Sequence, residues 1–324
     1  MTRHFLDVDD LTADELDAVL ALAERPDLPK VLAGHGVAMV FEKPSNRTRN
    51  STEMATFTLG GHAVYIQGHE VGLDTREPAA DVARTLACYH RILCARVAGH
   101  GTLVRMADAL DAAQVDVPVV NLLSDLAHPC QAVADLLTLR QVLAGPAGSS
   151  GPSGPADLAG RSVAYVGDAN NVCRSLAKAG VMAGLHVRVA SPEGYALTAA
   201  DLDQLGALAA RSGRGGTVTT TSQALDAVAG VDALYTDVWT SMGQEEEAAR
   251  RRDAFAGFTV DDVLLAAAAA HAVVLHCLPA HRAEEISAAV VDGPRSVVWI
   301  QAAQRMTAMR GLFAWLLGQD GAAR

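Results

Sequence analysis

The sequence predicts an α/β chain of two domains, each a mainly parallel sheet flanked by helices. Short apolar runs of the kind found in strands alternate with amphipathic stretches along nearly the whole chain. Such alternation folds as a parallel sheet with crossover helices. At 324 residues the chain is long for a single hydrophobic core. A Gly/Pro/Ser-rich segment, Gly145–Gly160, breaks the alternation near the middle and reads as a surface loop or hinge.

Asp9–Asp10 precede a capped helix with Leu16, Val19, Leu20 and Ala23 on one face. Gly36–Phe41 is a buried-type strand, and Ser45 opens a helix that reaches about Leu59 and is closed by Gly60–Gly61. Ala63–Ile66 reads as a strand, Pro78–Tyr89 as a helix and Arg91–Arg96 as a strand. Thr102–Ala112 follows as a helix, Val117–Asn121 as a strand and Pro129–Leu143 as a helix. Beyond the break come strands Ser162–Val166, His186–Ala190, Thr217–Thr220, Ala233–Asp237 and Ala272–Cys277. Helices Val172–Ala183, Asp201–Ala210 and Ser222–Val228 lie between them. Ala303–Leu317 is the last amphipathic helix, and its pattern alone fits packing on either domain. Glu245–Glu247 and Arg250–Arg252 have the i,i+4 spacing of a solvated helix face.

Half of the residues are apolar, 19% are charged and 4% are aromatic, so Ala, Val and Leu must carry the packing. A net charge of −11 argues against nucleic acid or an anionic membrane as partner, although local arginines can still hold an anion. No secretory h-region opens the chain, and no apolar run reaches the ~20 residues that span a bilayer. The five cysteines are scattered without a C-x-x-C pair, the usage of a reducing cytoplasm. Cys88, Cys94, Cys130 and Cys173 read as small core residues. His271, His276 and His281 are evenly spaced but cannot share a face across a strand and loop, so no metal is expected. Gly167–Asn171 lacks G-x-G-x-x-G, and no dinucleotide is expected either.

Ser45-Asn46-Arg47-Thr48-Arg49 lies between a strand and a helix. A helix N-terminus presents N–H groups and partial positive charge, and so holds phosphate. Hydroxyls at 45 and 48 and a guanidinium at 47 add charge-assisted donors. The same segment also fits an ordinary cap followed by solvated arginines. Beginning at Phe41, it resembles the Ser-Thr-Arg-Thr-Arg carbamoyl phosphate motif of the aspartate/ornithine carbamoyltransferase family. Further segments resemble that family in order: Ala95-Arg96-Val97, Ser124 to Gln131, Gly167 to Asn171, Asp237 to Glu245, His276-Cys277-Leu278-Pro279 and Arg305. The likeness covers nearly the whole chain.

The resemblance implies a division into a carbamoyl phosphate-binding domain, residues 1–143 completed by a returning helix at 306–324, and an ornithine-binding domain, 144–305. It implies transfer of the carbamoyl group of carbamoyl phosphate to the side-chain amine of L-ornithine, giving L-citrulline and phosphate, with no cofactor. Ser45, Asn46 through its backbone, Arg47, Thr48 and Arg305 would hold the phosphate. Arg96, Thr48 and His128 would face the carbonyl oxygen, where negative charge grows as the tetrahedral intermediate forms. Gln131 and the backbone carbonyls of Cys277 and Leu278 would contact the carbamoyl amino group, which requires a cis Leu278–Pro279 bond, a form taken by about 5–6% of X–Pro bonds. Asp237 and Ser241 would hold the α-ammonium, in a loop with Met242, and Asn171 the α-carboxylate. Cys277 and Asp237 would lie near the reacting amine. Arg96, His128, Cys277 and Asp237 are thus the expected catalytic residues. A carboxylate at 237 suits a diamino acid and would repel aspartate. The family further implies a homotrimer in arginine and citrulline metabolism, and the cysteine usage a cytoplasmic one.

Three departures stand out. Position 46 is Asn where the family usually has Thr, which keeps the backbone N–H. Gln301-Ala302-Ala303-Gln304-Arg305 replaces the usual Glu-Ala-Glu-Asn-Arg, keeping the arginine. The residue usually lent to a neighbouring subunit falls at Gly72, with His69 and Glu70 nearby. Other acceptors, putrescine or an N-acylated ornithine, and a catalytically silent relative that binds carbamoyl phosphate are the alternative expectations.

Overall fold

The computed structural model describes residues 2–144, 157–240 and 245–318. The chain folds as two compact units, Met1–Ala134 with Ala303–Arg324, and Asp135–Ala302. In the first unit, β1 (Gly36–Phe41) is buried from Val37 onward. That pattern belongs to a strand covered on both faces, as parallel sheets require. β2 (His62–Gln67), β3 (His90–Arg96) and β4 (Val119–Leu123) complete a parallel sheet of order β2-β1-β3-β4. Helices α1 (Ala13–Glu24), α2 (Asn46–Thr58), α3 (Gly68–Val71), α4 (Ala79–Ala87) and α5 (His100–Ala112) alternate with the strands, and α6 (Pro129–Val142) follows β4, with Asp135–Val142 belonging to the second unit. Val40, Leu93, Ala95, Met106 and Leu110 belong to one buried cluster there.

Two of the local differences from the sequence expectation, at α1 and β4, concern side-chain partners. Asp9 and Asp10 lie in a 3-10 turn, and α1 is capped by Thr12. The Thr12 hydroxyl accepts from the Glu15 amide while the Glu15 carboxylate accepts from the Thr12 amide, a capping box. β4 begins and ends two residues later than Val117–Asn121. Asn121 does not end the strand, because its side-chain amide finds partners in the interior, donating to the Leu6 carbonyl at 2.8 Å and to the Ser124 hydroxyl at 3.1 Å.

The second unit carries β5 (Ser162–Val166), β6 (His186–Ala190), β7 (Thr217–Thr221), β8 (Ala233–Thr236) and β9 (Val273–His276) in the parallel order β7-β6-β5-β8-β9. Its helices are α7 (Asn171–Met182), α8 (Ala199–Ser212), α9 (Ala224–Val228), α10 (Ala248–Ala254), α11 (Asp262–Ala267) and α12 (Ala288–Val291). Val166, Leu234, Trp239, Phe255 and Val274 share its core.

The final helix, α13 (Val298–Leu316), starts five residues before the expected Ala303. Val297-Val298-Trp299-Ile300 is β-branched and aromatic, so its local preference hides the helix. From Ala303 on, the helix belongs to the first unit. Gly311 lies against α1, where an added Cβ would meet the Ala23 nitrogen at 2.6 Å, and Arg310 donates to the Ala23 carbonyl at 2.9 Å. Among the described residues no helix is long and apolar enough to cross a membrane, and the five cysteines form no disulfide.

Candidate active site

Open parallel sheets bind ligands beyond the carboxyl ends of their strands, where the strand order reverses direction. In the first unit the reversal falls between β1 and β3. Register places Phe41 beside Arg96 and Arg96 beside Leu123, so three strands end level. The segments that follow carry the expected phosphate residues. Ser45 caps α2, its hydroxyl accepting from the Thr48 amide at 3.4 Å. Arg47 is half-buried, and Asn46 is exposed with its side-chain oxygen accepting from Asn50 one turn on at 2.9 Å.

Thr48, Arg96, His128, Gln131 and Arg305 are all buried in this unit. The Arg305 guanidinium gathers three of the others. It donates to the Thr48 hydroxyl at 2.9 Å, approaches His128 Nε2 at 3.3 Å and donates to the Gln131 side-chain oxygen. His128 is held neutral, its pKa pushed well below the ordinary value by burial and then by the charges of Arg305 and Arg96. With Arg305 as donor, the facing Nε2 is the acceptor and Nδ1 carries the proton. Two buried guanidiniums beside a neutral imidazole and a helix N-terminus make a site for a dianion.

In the second unit the order reverses between β5 and β8. The two segments leaving these strands meet, for Asn170 Nδ2 donates to Asp237 Oδ2 at 3.0 Å. Asn170 also caps α7, accepting from the amides of Val172 and Cys173. Asn171, the residue expected to read a carboxylate, is the first of α7 and half-buried. The other oxygen of Asp237 accepts from Cys277 Sγ at 3.0 Å. Asp237 is buried, so a carboxylate and a thiol sit together beyond β8 and β9. Ser241 and Met242 lie outside the described residues.

The turn after β9 is built around His276. The Leu278–Pro279 bond is cis, as the resemblance implies, and Leu278 has a positive φ of 59°. The Leu278 amide donates to His276 Nδ1 at 2.8 Å, and His276 Nε2 meets the buried Glu285 carboxylate at 3.0 Å. Nδ1 is therefore the acceptor and Nε2 the donor. Asp237, His276 and Cys277 bring possible ligand atoms within 4.8 Å of one another, as do His281, Glu284 and Glu285. Both His276 nitrogens are already engaged, and His271 pairs instead with Asp232 at 2.8 Å. Gln301 explains its own departure. Its Oε1 accepts from the His276 amide at 2.8 Å and its Nε2 donates to Asp135 at 2.7 Å, two partners that a carboxylate could satisfy only when protonated.

Sequence reasoning missed several residues of this unit. Glu285 carries no local motif, and Asp168, Asn170 and His276 lie within family-like segments that give them no role of their own. Arg251 is the clearest correction. Its neighbour Arg250 is exposed as expected, but Arg251 is buried against Asp168 at 2.7 Å. Burial raises the Asp168 carboxyl above its usual range, and the Arg251 guanidinium pulls it partway back.

Comparison with known proteins matches two successive stretches of the chain. Residues 3–141 match the carbamoyl phosphate-binding domain of aspartate/ornithine carbamoyltransferases, and residues 159–316 match their aspartate/ornithine-binding domain. The chain is 47% identical to an ornithine carbamoyltransferase of Acidothermus cellulolyticus, covering 99% of this chain and 98% of that one. It is 45% identical to that of Rhodococcus opacus, over 98% and 97% of the two chains. The crystallised ornithine carbamoyltransferase of Pyrococcus furiosus superposes with a TM-score of 0.88 at 39% identity, covering 99% of this chain and 98% of its own. With motifs, strand order and full-length likeness in agreement, the chain belongs to the aspartate/ornithine carbamoyltransferase family.

Proposed function

We propose that this protein transfers the carbamoyl group of carbamoyl phosphate to the side-chain amine of L-ornithine, releasing L-citrulline and phosphate. The observation that carries the choice of acceptor is the buried Asp237 carboxylate joined to Asn170 and Cys277. An anion there suits the α-ammonium of a free diamino acid and repels aspartate. Putrescine lacks the α-carboxylate and an N-acylated ornithine lacks the α-ammonium, so both forgo part of this recognition. The names of the similar proteins support the same acceptor.

In this reading the first unit holds carbamoyl phosphate. Ser45, the Asn46 amide, Arg47, Thr48 and Arg305 bind the phosphate, while Arg96, Thr48 and His128 polarise the carbonyl. Gln131 and the carbonyls of Cys277 and Leu278 orient the carbamoyl amino group. Asp237, Asn171, Ser241 and Met242 orient ornithine. A free alkylammonium with a pKa of about 10.4 is only about one part in a thousand neutral near pH 7.4, so attack follows loss of a proton from the amine. Its lone pair forms the new C–N bond, charge gathers on the carbonyl oxygen, and the C–O bond to phosphate then breaks. The departing phosphate takes the surplus proton. Assembly as a homotrimer, residence in the cytoplasm and a place in arginine or citrulline metabolism belong to the same proposal.

The test is phosphate release from carbamoyl phosphate with ornithine, putrescine, N-acetylornithine or aspartate as acceptor. Ornithine is expected to give the highest kcat/KM. Equal or faster turnover with putrescine or N-acetylornithine rejects this acceptor, and no acceptor-dependent release supports the silent relative.

A further inference from the structure

We propose that Arg251 is a positioning residue for the amino-acid acceptor, tying together the two strand-end segments that carry Asn170–Asn171 and Asp237. This inference rests on the ornithine reading above. Arg251 lies on α10, and its side chain is 7% exposed. One Nη1 donates both to Asp168 Oδ2 at 2.7 Å and to the Trp239 carbonyl at 2.9 Å. Asp168 stands two residues before Asn170 on the segment leaving β5, and Trp239 stands two residues after Asp237 on the segment leaving β8. The guanidinium therefore bridges the same two segments that the Asn170–Asp237 hydrogen bond joins.

The rest of the side chain is fixed from its other sides. Nε donates to Glu247 at 3.1 Å, and the guanidinium carbon lies 5.0 Å from the Tyr195 ring centroid. Tyr195 packs on Phe255, Phe255 stacks on Trp239, and the Tyr195 carbonyl accepts from the Ala169 amide at 2.9 Å. A planar cation with several donors meets a carboxylate, a carbonyl and an aromatic face at once, which an ammonium cannot reproduce. Loss of this tie leaves a half-buried carboxylate and a buried carbonyl short of a donor and frees the two segments to separate. The Asn170–Asp237 spacing that reads the α-amino acid then loosens, whereas the buried cluster around Arg305 contains none of these residues.

The experiment compares wild type, Arg251→Gln, Arg251→Lys and Arg250→Gln in citrulline formation by the full chain, with ornithine and carbamoyl phosphate varied separately. Arg251→Gln is expected to raise the KM for ornithine roughly tenfold or more, with kcat changed less and carbamoyl phosphate binding unaltered, since charged hydrogen bonds are the stronger class. Arg251→Lys should recover part of that loss. Arg250→Gln, which alters an exposed pair with Glu247, should match wild type. If Arg251→Gln does not fold, Asp168→Asn with Arg251→Lys carries the test, each expected to raise the ornithine KM. An active wild type whose ornithine KM is unchanged in the folded variants overturns the positioning role alone. A wild type that makes no citrulline overturns the ornithine reading, and this inference with it.

Discussion

The Arg305 guanidinium donates to the Thr48 hydroxyl at 2.9 Å, joining the final helix to the first turn of α2. Both side chains are buried, and the same guanidinium reaches His128 and Gln131. Under the proposed function this cluster binds the phosphate end of the donor. Arg305→Leu should raise the KM for carbamoyl phosphate by roughly 10–100-fold, the range for losing charge-assisted hydrogen bonds. Titration of the purified variant with carbamoyl phosphate alone, followed by calorimetry, checks this. Unchanged affinity would remove Arg305 from the phosphate site.

Asp237→Asn keeps the shape of the side chain and removes its charge. The expected result is a fall in kcat/KM for ornithine of about 100-fold, with carbamoyl phosphate binding preserved, as befits loss of a buried charged hydrogen bond. Steady-state kinetics with each substrate varied separately distinguishes this from a general loss of activity. A variant that keeps wild-type kcat/KM would leave the acceptor pocket without its anion.

The neutral, buried His128 links stability to pH. Its folded pKa lies well below the ordinary value, through burial and then through Arg305 and Arg96. The unfolded imidazole takes up a proton below about pH 6.5 while the folded one does not, so the unfolded state there binds more protons. This contribution is complete above that pH and is lost as pH falls from about 6.5 toward the folded pKa. Denaturant unfolding of wild type and His128→Gln at pH 7.5 and 5.5 measures it. The wild type should lose more stability than the variant on acidification, and equal losses would contradict the assignment.

Gly311 sets how closely α13 approaches α1. Gly311→Val places a branched side chain where the Ala23 backbone lies 2.6 Å from the position of Cβ. Overpacking of this kind costs about 1–3 kcal/mol. A folded variant with wild-type midpoint in denaturant would show that the two helices separate without penalty.

What could be seen in the sequence was what is local. Ser45 as cap and the apolar runs of β1 and β5 each depend on neighbours along the chain, whereas the cis Leu278–Pro279 bond is implied only by the family resemblance. Arg251 depends on Asp168, 83 positions away. Its i,i+4 spacing to Glu247 is genuine, with Nε and Oε2 3.1 Å apart, yet the same spacing serves a solvated face and a buried one. Asn121 looks like a strand terminus until its interior partners are known. Val298 to Ile300 have a β preference that the packing of α13 overrides. The Gln301 departure likewise becomes intelligible only beside Asp135 and the His276 amide.

The most direct measurement is mass-spectrometric detection of citrulline from purified protein given ornithine and carbamoyl phosphate labelled at the carbonyl carbon. Labelled citrulline is expected in equal amount with released phosphate, abolished by Arg47→Ala and Asp237→Ala. Phosphate release that does not depend on ornithine, or label appearing in no citrulline, would contradict the proposed transfer.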